Sequence, residues 1–241
     1  MVLVGARARY SQEKLKFQRI ATQNRTGWTS SGLNEIAEQF VEACEPGMQV
    51  MEIGAAYGVA ALAALERGAH VVANDLDPAH LAELARRCSA PERLTLLPGR
   101  FPRFVRWPGR TLDAILASNV LHFLTGPQLV KAVASFAYWL KPGGAVYIVA
   151  ATPYLAPFAE FLSEYEERRA RGLPFPGWME NARKYSRHGL LSQIPKSVHL
   201  LDVPVLEQLF AGWQMDECRL FRRRDLSKTL WLDGREAVGM G

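Results

Sequence analysis

Val50-Met51-Glu52-Ile53-Gly54-Ala55-Ala56-Tyr57-Gly58 is an apolar run that ends at an acid and opens at once into a loop of small residues. Past a helical stretch, Val59–Arg67, that Gly68 closes, a second apolar run, His70–Asn74, leads into Asp75. Strand, loop, helix, strand, acid is the layout of a site that holds a nucleoside. A loop of small side chains lets backbone approach a ligand where a larger Cβ would collide. A carboxylate at the end of the second strand can accept hydrogen bonds from two ribose hydroxyls.

Working outward, strands and helices keep alternating. Leu33, Ile36, Ala37, Phe40, Val41 and Cys44 recur at helical spacing, with Glu35, Glu38, Glu42 and Glu45 on the other face. Ser30 or Ser31 can cap that helix, and Pro46-Gly47 stop it. Asp77-Pro78 reads as an N-cap with proline in the first turn, opening a helix to Arg87. Leu94–Leu97 and Leu112–Ser118 read as strands. Thr125 starts a helix carrying Leu129, Val130, Val133, Phe136, Ala137 and Leu140, and Lys141-Pro142-Gly143-Gly144 turns it into a strand over Ala145–Ala150. This alternation predicts an α/β, doubly wound, mostly parallel sheet joined by right-handed crossovers. The rhythm breaks at Pro153. Residues 153–198 read as an insertion, followed by a helix over Val203–Ala211 and strands over Gln214–Phe221 and Glu236–Met240. Residues 1–29 have weak periodicity and read as an irregular or helical arm.

Composition sets bounds. The 241 residues suit one large domain with an insertion, and 49% apolar with 22% charged residues suits a packed globule. No apolar run approaches the roughly 18 residues of a membrane-spanning helix, and the first residues are too short an apolar stretch for a secretory signal. Cys44, Cys88 and Cys218 lack metal-ligand spacing and suit a reducing compartment, so the expected location is cytoplasmic. The net charge of +5 gathers at Arg7–Arg25, Arg168–Arg187 and Arg222–Arg224. With no RNA-binding motif beside it, this charge reads as solvated surface, and nucleic acid is not the expected partner.

The ligand class follows from the loop. A dinucleotide site needs Gly-x-Gly-x-x-Gly to seat a pyrophosphate on a helix N-terminus. Gly54-Ala55-Ala56-Tyr57-Gly58 has different spacing, and no P-loop lysine follows, so a ligand without phosphate fits better. Here the chain resembles the class I S-adenosylmethionine-dependent methyltransferases. Glu52 to Gly58 matches their acid-x-Gly-x-Gly-x-Gly motif except at Ala56. Asp75 matches their second acid, and Leu140–Gly144 matches their Leu-Lys-Pro-Gly-Gly turn. The resemblance implies a seven-stranded sheet with the last strand antiparallel, and S-adenosylmethionine as cofactor with S-adenosylhomocysteine as product. It implies that backbone at Gly54 and Ala55 approaches the methionine moiety, that Ala56 and Gly58 belong to the same cofactor-binding loop, and that Glu52 orients the loop or reaches the ligand's amino group through water. By the same resemblance Asp75 holds the ribose, Leu76 packs on adenine, and Asn119 offers its carbonyl to the amino group. Arg100 stands where many members carry an acid for adenine, which leaves Phe101 or backbone to serve there. From the residues alone, Glu52 can also merely cap a strand end, whereas Asp75 has little structural reason to be acidic.

Methyl transfer needs little from the protein beyond geometry and desolvation, and a base only when a proton must leave early. His122, at the end of the fourth strand, is the best-placed candidate base; it can equally shape the pocket. His70, His80 and His199 read as structural. No Asp, His and Glu set has metal-binding spacing, so no metal is expected. In the insertion, Phe158, Phe161, Leu162 and Tyr165 form a helical stripe, with Phe175-Pro176-Gly177-Trp178 and Tyr185 beyond it. These either pack the insertion onto the body or form a helical lid over the pocket with the arm, which makes Tyr10, Trp28, Tyr154, Trp178 and Tyr185 candidate substrate contacts. Arg168, Arg183, Lys184 and Arg187 offer cations to an acidic substrate group. The domain expectation is an arm over 1–29 and a cofactor-binding domain over 30–241 containing the lid. The functional expectation is methylation of an oxygen or nitrogen of a small molecule. Protein or RNA methylation, or a catalytically silent S-adenosylmethionine-binding protein, stand as alternatives, and a homodimer is left open.

Overall fold

The computed structural model describes residues 2–4, 19–22, 28–155, 158–185 and 195–215. Its main elements are β1 (Val2–Val4), β2 (Arg19–Ala21), β3 (Trp28–Ser30), α1 (Glu35–Glu42), β4 (Gln49–Ile53), α2 (Val59–Glu66), β5 (His70–Asp75), α3 (Pro78–Arg87), β6 (Leu94–Pro98), β7 (Leu112–Ser118), α4 (Gly126–Trp139) and β8 (Leu140–Val149). There follow α5 (Ala159–Ala170), β9 (Trp178–Met179), β10 (Val198–His199), α6 (Val203–Leu209) and β11 (Gln214–Met215).

The main sheet runs β11-β1-β8-β7-β4-β5-β6, and every described pairing in it is parallel. Alternation along each strand feeds two cores. Met51, Ile53, Ile115 and Val146 face Leu129, Ala132, Phe136 and Trp139 of α4. Val50, Val71, Ala73, Ala114 and Leu116 face α1, α2 and α3 through Phe40, Ala61, Ala64, Leu81 and Leu84. Strands covered on both sides read as apolar runs, and these do.

Three features differ from expectation. The cap of α1 is Asn34, not Ser30 or Ser31. Its Oδ1 accepts the Ala37 N–H at 3.0 Å, and its Nδ2 donates to Ser118 Oγ at 2.9 Å. Ser30 is held in β3 instead. The described residues of the first thirty form short strands where an irregular or helical arm was expected. Val2–Val4, β-branched at two of three positions, pairs with both β8 and β11, while β2 and β3 form an antiparallel hairpin. The antiparallel last strand was expected at Glu236–Met240, which lies outside the described residues, and β1 occupies the place beside β8.

The insertion has a core of its own: Phe158, Phe161 and Tyr165 of α5 pack on Met179, Ala182, Val198 and Leu200. It is tied to the body where the Leu201 N–H donates to Ala151 O and the Tyr165 hydroxyl donates to the buried Asp202 carboxylate at the start of α6.

Candidate functional site

The chain leaves β4 toward β5 and β6, then returns to the other side of β4 for β7 and β8. Strand order therefore reverses between β4 and β7, and the crevice outside their carboxyl ends is where open sheets take ligands. The loop after β4, Asp75 at the end of β5 and Asn119 after β7 all open there.

Backbone conformation explains the small residues of the loop. Gly54 has φ +71°, and a Cβ on it would stand 3.1 Å from a Val120 methyl. Gly58, with φ +73°, is the N-cap of α2. Ala56 has φ +47°, the left-handed region, which an L side chain occupies at a cost of about 1–2 kcal/mol. Ala56→Gly is expected to raise stability by about 0.5–1 kcal/mol after the greater freedom of glycine in the unfolded chain is deducted. Urea midpoints measure this, and a lower midpoint would mean that the Ala56 methyl packs to advantage.

Asp75 is 6% exposed. Its Oδ2 accepts the Ala56 N–H at 2.8 Å; its Oδ1 accepts the Asp77 N–H at 2.8 Å and His80 Nδ1 at 3.1 Å. The acid therefore has a structural duty that the sequence did not disclose: it joins the glycine loop to the start of α3. A carboxylate has about four acceptor positions. Among the described residues three are used by these partners, which leaves one on Oδ2. Next to it Asn74 Nδ2 donates to Leu97 O and Gly99 O, clamping the ends of β5 and β6 together.

Glu52 lies beneath the loop. Its Oε2 accepts the Ala61 N–H at 2.9 Å. Burial pushes its pKa up to about 8, opposed by the Ala61 N–H and aided by the Asp75 charge. Since the folded carboxyl holds its proton above the unfolded value, it contributes fully below about pH 4.5, and that contribution is lost as pH rises through 8. Glu52→Gln is expected to flatten this loss, so that denaturant midpoints of the two proteins diverge from pH 5 to pH 9. Parallel pH profiles would contradict the assignment.

On the β5–β6 side of the crevice, Leu76 is 44% exposed beside Asp75, and Arg100 is exposed. Phe101 corrects an expectation. Its ring is buried and stacks on Phe136, centroids 5.4 Å apart, and tilts against Trp139, so it fills the core beneath α4 and is not free to meet adenine. Asn119 is exposed with φ +57°, which asparagine tolerates. Its N–H donates to Val149 O at 2.7 Å.

On the other side of the crevice, the 3-10 turn Leu121–Phe123 carries His122. Its Nδ1 is buried with no hydrogen-bond partner among the described residues, and burial pushes its pKa down to about 4. The end of the insertion packs on this region: His199 Nδ1 lies 3.0 Å from Leu124 O, and its ring meets Phe175 and Trp178 edge-on. Tyr154 donates to Glu166 and Tyr185 to Glu164, so both hydroxyls serve the insertion itself. Arg168, expected among cations open to an acidic substrate, donates instead to Trp178 O, Pro176 O and Glu164. Arg183 and Lys184 are exposed. Tyr10 and Arg187 lie outside the described residues, and Trp28 is placed through its backbone pairing with Ala21. The β2–β3 hairpin stands beside the loop, where Ile20, Tyr57, Val59 and Arg87 bound a groove of about 570 Å³. Among the described residues no group of three or more His, Cys, Asp or Glu is placed to hold a metal, and no helix is long and apolar enough to cross a membrane.

Residues 50–144 match the family model described as a methyltransferase domain. The match places the loop, Asp75 and the β7 end within a stretch similar to a methyltransferase domain. Over 138 residues the chain is 30% identical to phosphoethanolamine N-methyltransferase 1 of Zea mays, which covers 56% of this chain and 26% of the relative. The chain thus spans about a quarter of the length of that curated relative. Among solved structures, a phosphoethanolamine N-methyltransferase 1 of Haemonchus contortus with phosphoethanolamine and S-adenosylhomocysteine has TM-score 0.45 and 13% identity, over 48% of this chain and 25% of that one. A putative S-adenosylmethionine-dependent methyltransferase of Methanococcus maripaludis has TM-score 0.43 and 17% identity, over 58% and 63%.

The two described histidines His80 and His199, both expected to be structural, have the following contacts. His80 touches the Asp75 carboxylate and, edge-on at 5.0 Å, the ring of Tyr57 in the cofactor loop. His199 reaches the turn that carries His122. For His80 the spacing from Asp75 across a proline-started helix was the available signal; for His199 there was none.

Proposed function

We propose that the chain is an S-adenosylmethionine-dependent methyltransferase acting on an oxygen or nitrogen of a small molecule. The observation that carries this reading is the crevice itself: a backbone-lined loop with left-handed Gly54, Ala56 and Gly58, a carboxylate with an acceptor position left on Oδ2, and exposed Leu76 beside it. These residues fit the cofactor. Gly54 and Ala55 would pass the methionine moiety, Asp75 one ribose hydroxyl, Leu76 the adenine face, and Asn119 the amino group. Arg100 and backbone near Gly99 are left for the adenine edge. When bound, the cofactor supplies a methyl group on a positively charged sulfur, already activated for in-line displacement.

The remaining work falls to the chain. We place the acceptor on the β7–β8 side, with the insertion acting as a lid over it. There Trp178 and the Leu121–Phe123 turn exclude water and fix the line of approach. His122 stays neutral at pH 7, because burial holds its pKa near 4. Its lone pair would therefore orient an acceptor O–H or N–H, and the proton released on methylation would leave to solvent water and not stay on His122. The small-molecule reading is favoured by the aromatic residues on this side, Phe123, Phe175 and Trp178, and by a cationic group, Arg168, that is spent within the insertion.

The test is methyl transfer from labelled S-adenosylmethionine into a cell extract, separated by dialysis into small and large components. Label in the dialysable fraction is the expected result. Label confined to protein or RNA would replace this reading with a macromolecular one, and absence of any label alongside tight cofactor binding would indicate a silent binder.

A further inference from the structure

We infer that His80 is a positioning residue for nucleoside recognition, holding the Asp75 carboxylate so that Oδ2 presents its remaining acceptor position to the crevice. The inference rests on the reading of Asp75 as the ribose acid.

The carboxylate torsion of an aspartate is broad, so its direction is fixed only by partners. Asp75 has three. Two are backbone N–H groups, of Ala56 on Oδ2 and of Asp77 on Oδ1, which any sequence with this backbone supplies. The third, His80 Nδ1 at 3.1 Å from Oδ1, is the only one that a side chain provides among the described residues. An ionised carboxylate accepts and cannot donate, so Nδ1 carries the proton. The ring is 1% exposed, so water does not compete for this bond. Because two donors converge on Oδ1 and one on Oδ2, the free acceptor position is left on the oxygen that also holds the loop. His80 thereby couples ribose recognition to loop position, and its edge-on contact with Tyr57 adds a second tie to the same loop. It touches no reacting atom. A histidine that merely fills space between α3 and the loop would leave sugar recognition untouched by its replacement, and the two roles are separable on that basis.

The experiment is calorimetric titration of the full chain with S-adenosylhomocysteine and with its 2′-deoxy and 3′-deoxy analogues. His80→Asn keeps a donor where Nδ1 stands; His80→Gln and His80→Leu do not. The unchanged protein is expected to bind one deoxy analogue about tenfold more weakly than the parent. His80→Asn is expected to keep that ratio, while His80→Gln and His80→Leu lose about tenfold for the parent and bring the ratio close to one. Preservation of the ratio in either of the last two variants would overturn the positioning role, even if all affinities fell together. Failure of the unchanged protein to bind S-adenosylhomocysteine would instead overturn the functional reading on which this rests.

Discussion

Asp75→Ala is expected to lose about 10- to 100-fold in affinity for S-adenosylhomocysteine and about 2–4 kcal/mol in stability. The two losses have different origins. Affinity falls because the charged acceptor for a ribose hydroxyl is gone. Stability falls because the N–H groups of Ala56 and Asp77 and Nδ1 of His80 lose their partner at a position only 6% exposed. Asp75→Asn keeps the shape and one carbonyl oxygen but turns an NH₂ toward donors, so it is expected to fall between. Calorimetry and urea denaturation on the same preparations measure both. Affinity lost at unchanged stability would show that the observed hydrogen bonds carry no folding energy. Stability lost at unchanged affinity would remove Asp75 from the cofactor site.

Gly58→Ala is expected to cost about 2–5 kcal/mol. A left-handed φ of +73° accounts for about 1–2 kcal/mol once a Cβ is present. The new Cβ would stand 2.2 Å from Leu84 Cδ1 and 2.8 Å from its Cγ. Leu84 is fully buried, so it can yield only by repacking the face between α2 and α3, which adds about 1–3 kcal/mol. The two contributions separate in a double-mutant cycle. In a Leu84→Ala background the clash is relieved, and the cost of Gly58→Ala is expected to shrink to the backbone part. An undiminished cost would place the whole penalty in the backbone.

The fold was legible where one physical cause dominates. Val50–Ile53 and Val71–Asn74 are covered on both faces, and burial of that kind writes itself as a continuous apolar run. Asp77-Pro78 and Thr125 mark their helix starts because capping is local chemistry. The backbone of the candidate site was legible for the same reason: Gly54 and Gly58 occupy conformations that favour glycine. What was hidden depends on tertiary partners. Nothing near Asn34 in sequence foretells Ser118 Oγ, which makes it the better cap. Three residues, Val2–Val4, are too few to show a period, yet an open strand edge beside β8 takes them. Phe101 points inward because Phe136 and Trp139 lie beneath it, which spacing cannot show. In the insertion, aromatic residues that build a core and those that line a pocket have the same sequence signature, and only the engaged hydroxyls of Tyr154 and Tyr185 tell them apart.

The central claim is that the crevice between β4 and β7 holds S-adenosylmethionine, and the most direct test is calorimetric titration of the full chain with S-adenosylmethionine, S-adenosylhomocysteine and NAD. Micromolar binding of the first two, with none of the third, is the expected result. Binding of NAD, or no binding of either sulfur nucleoside, would contradict it.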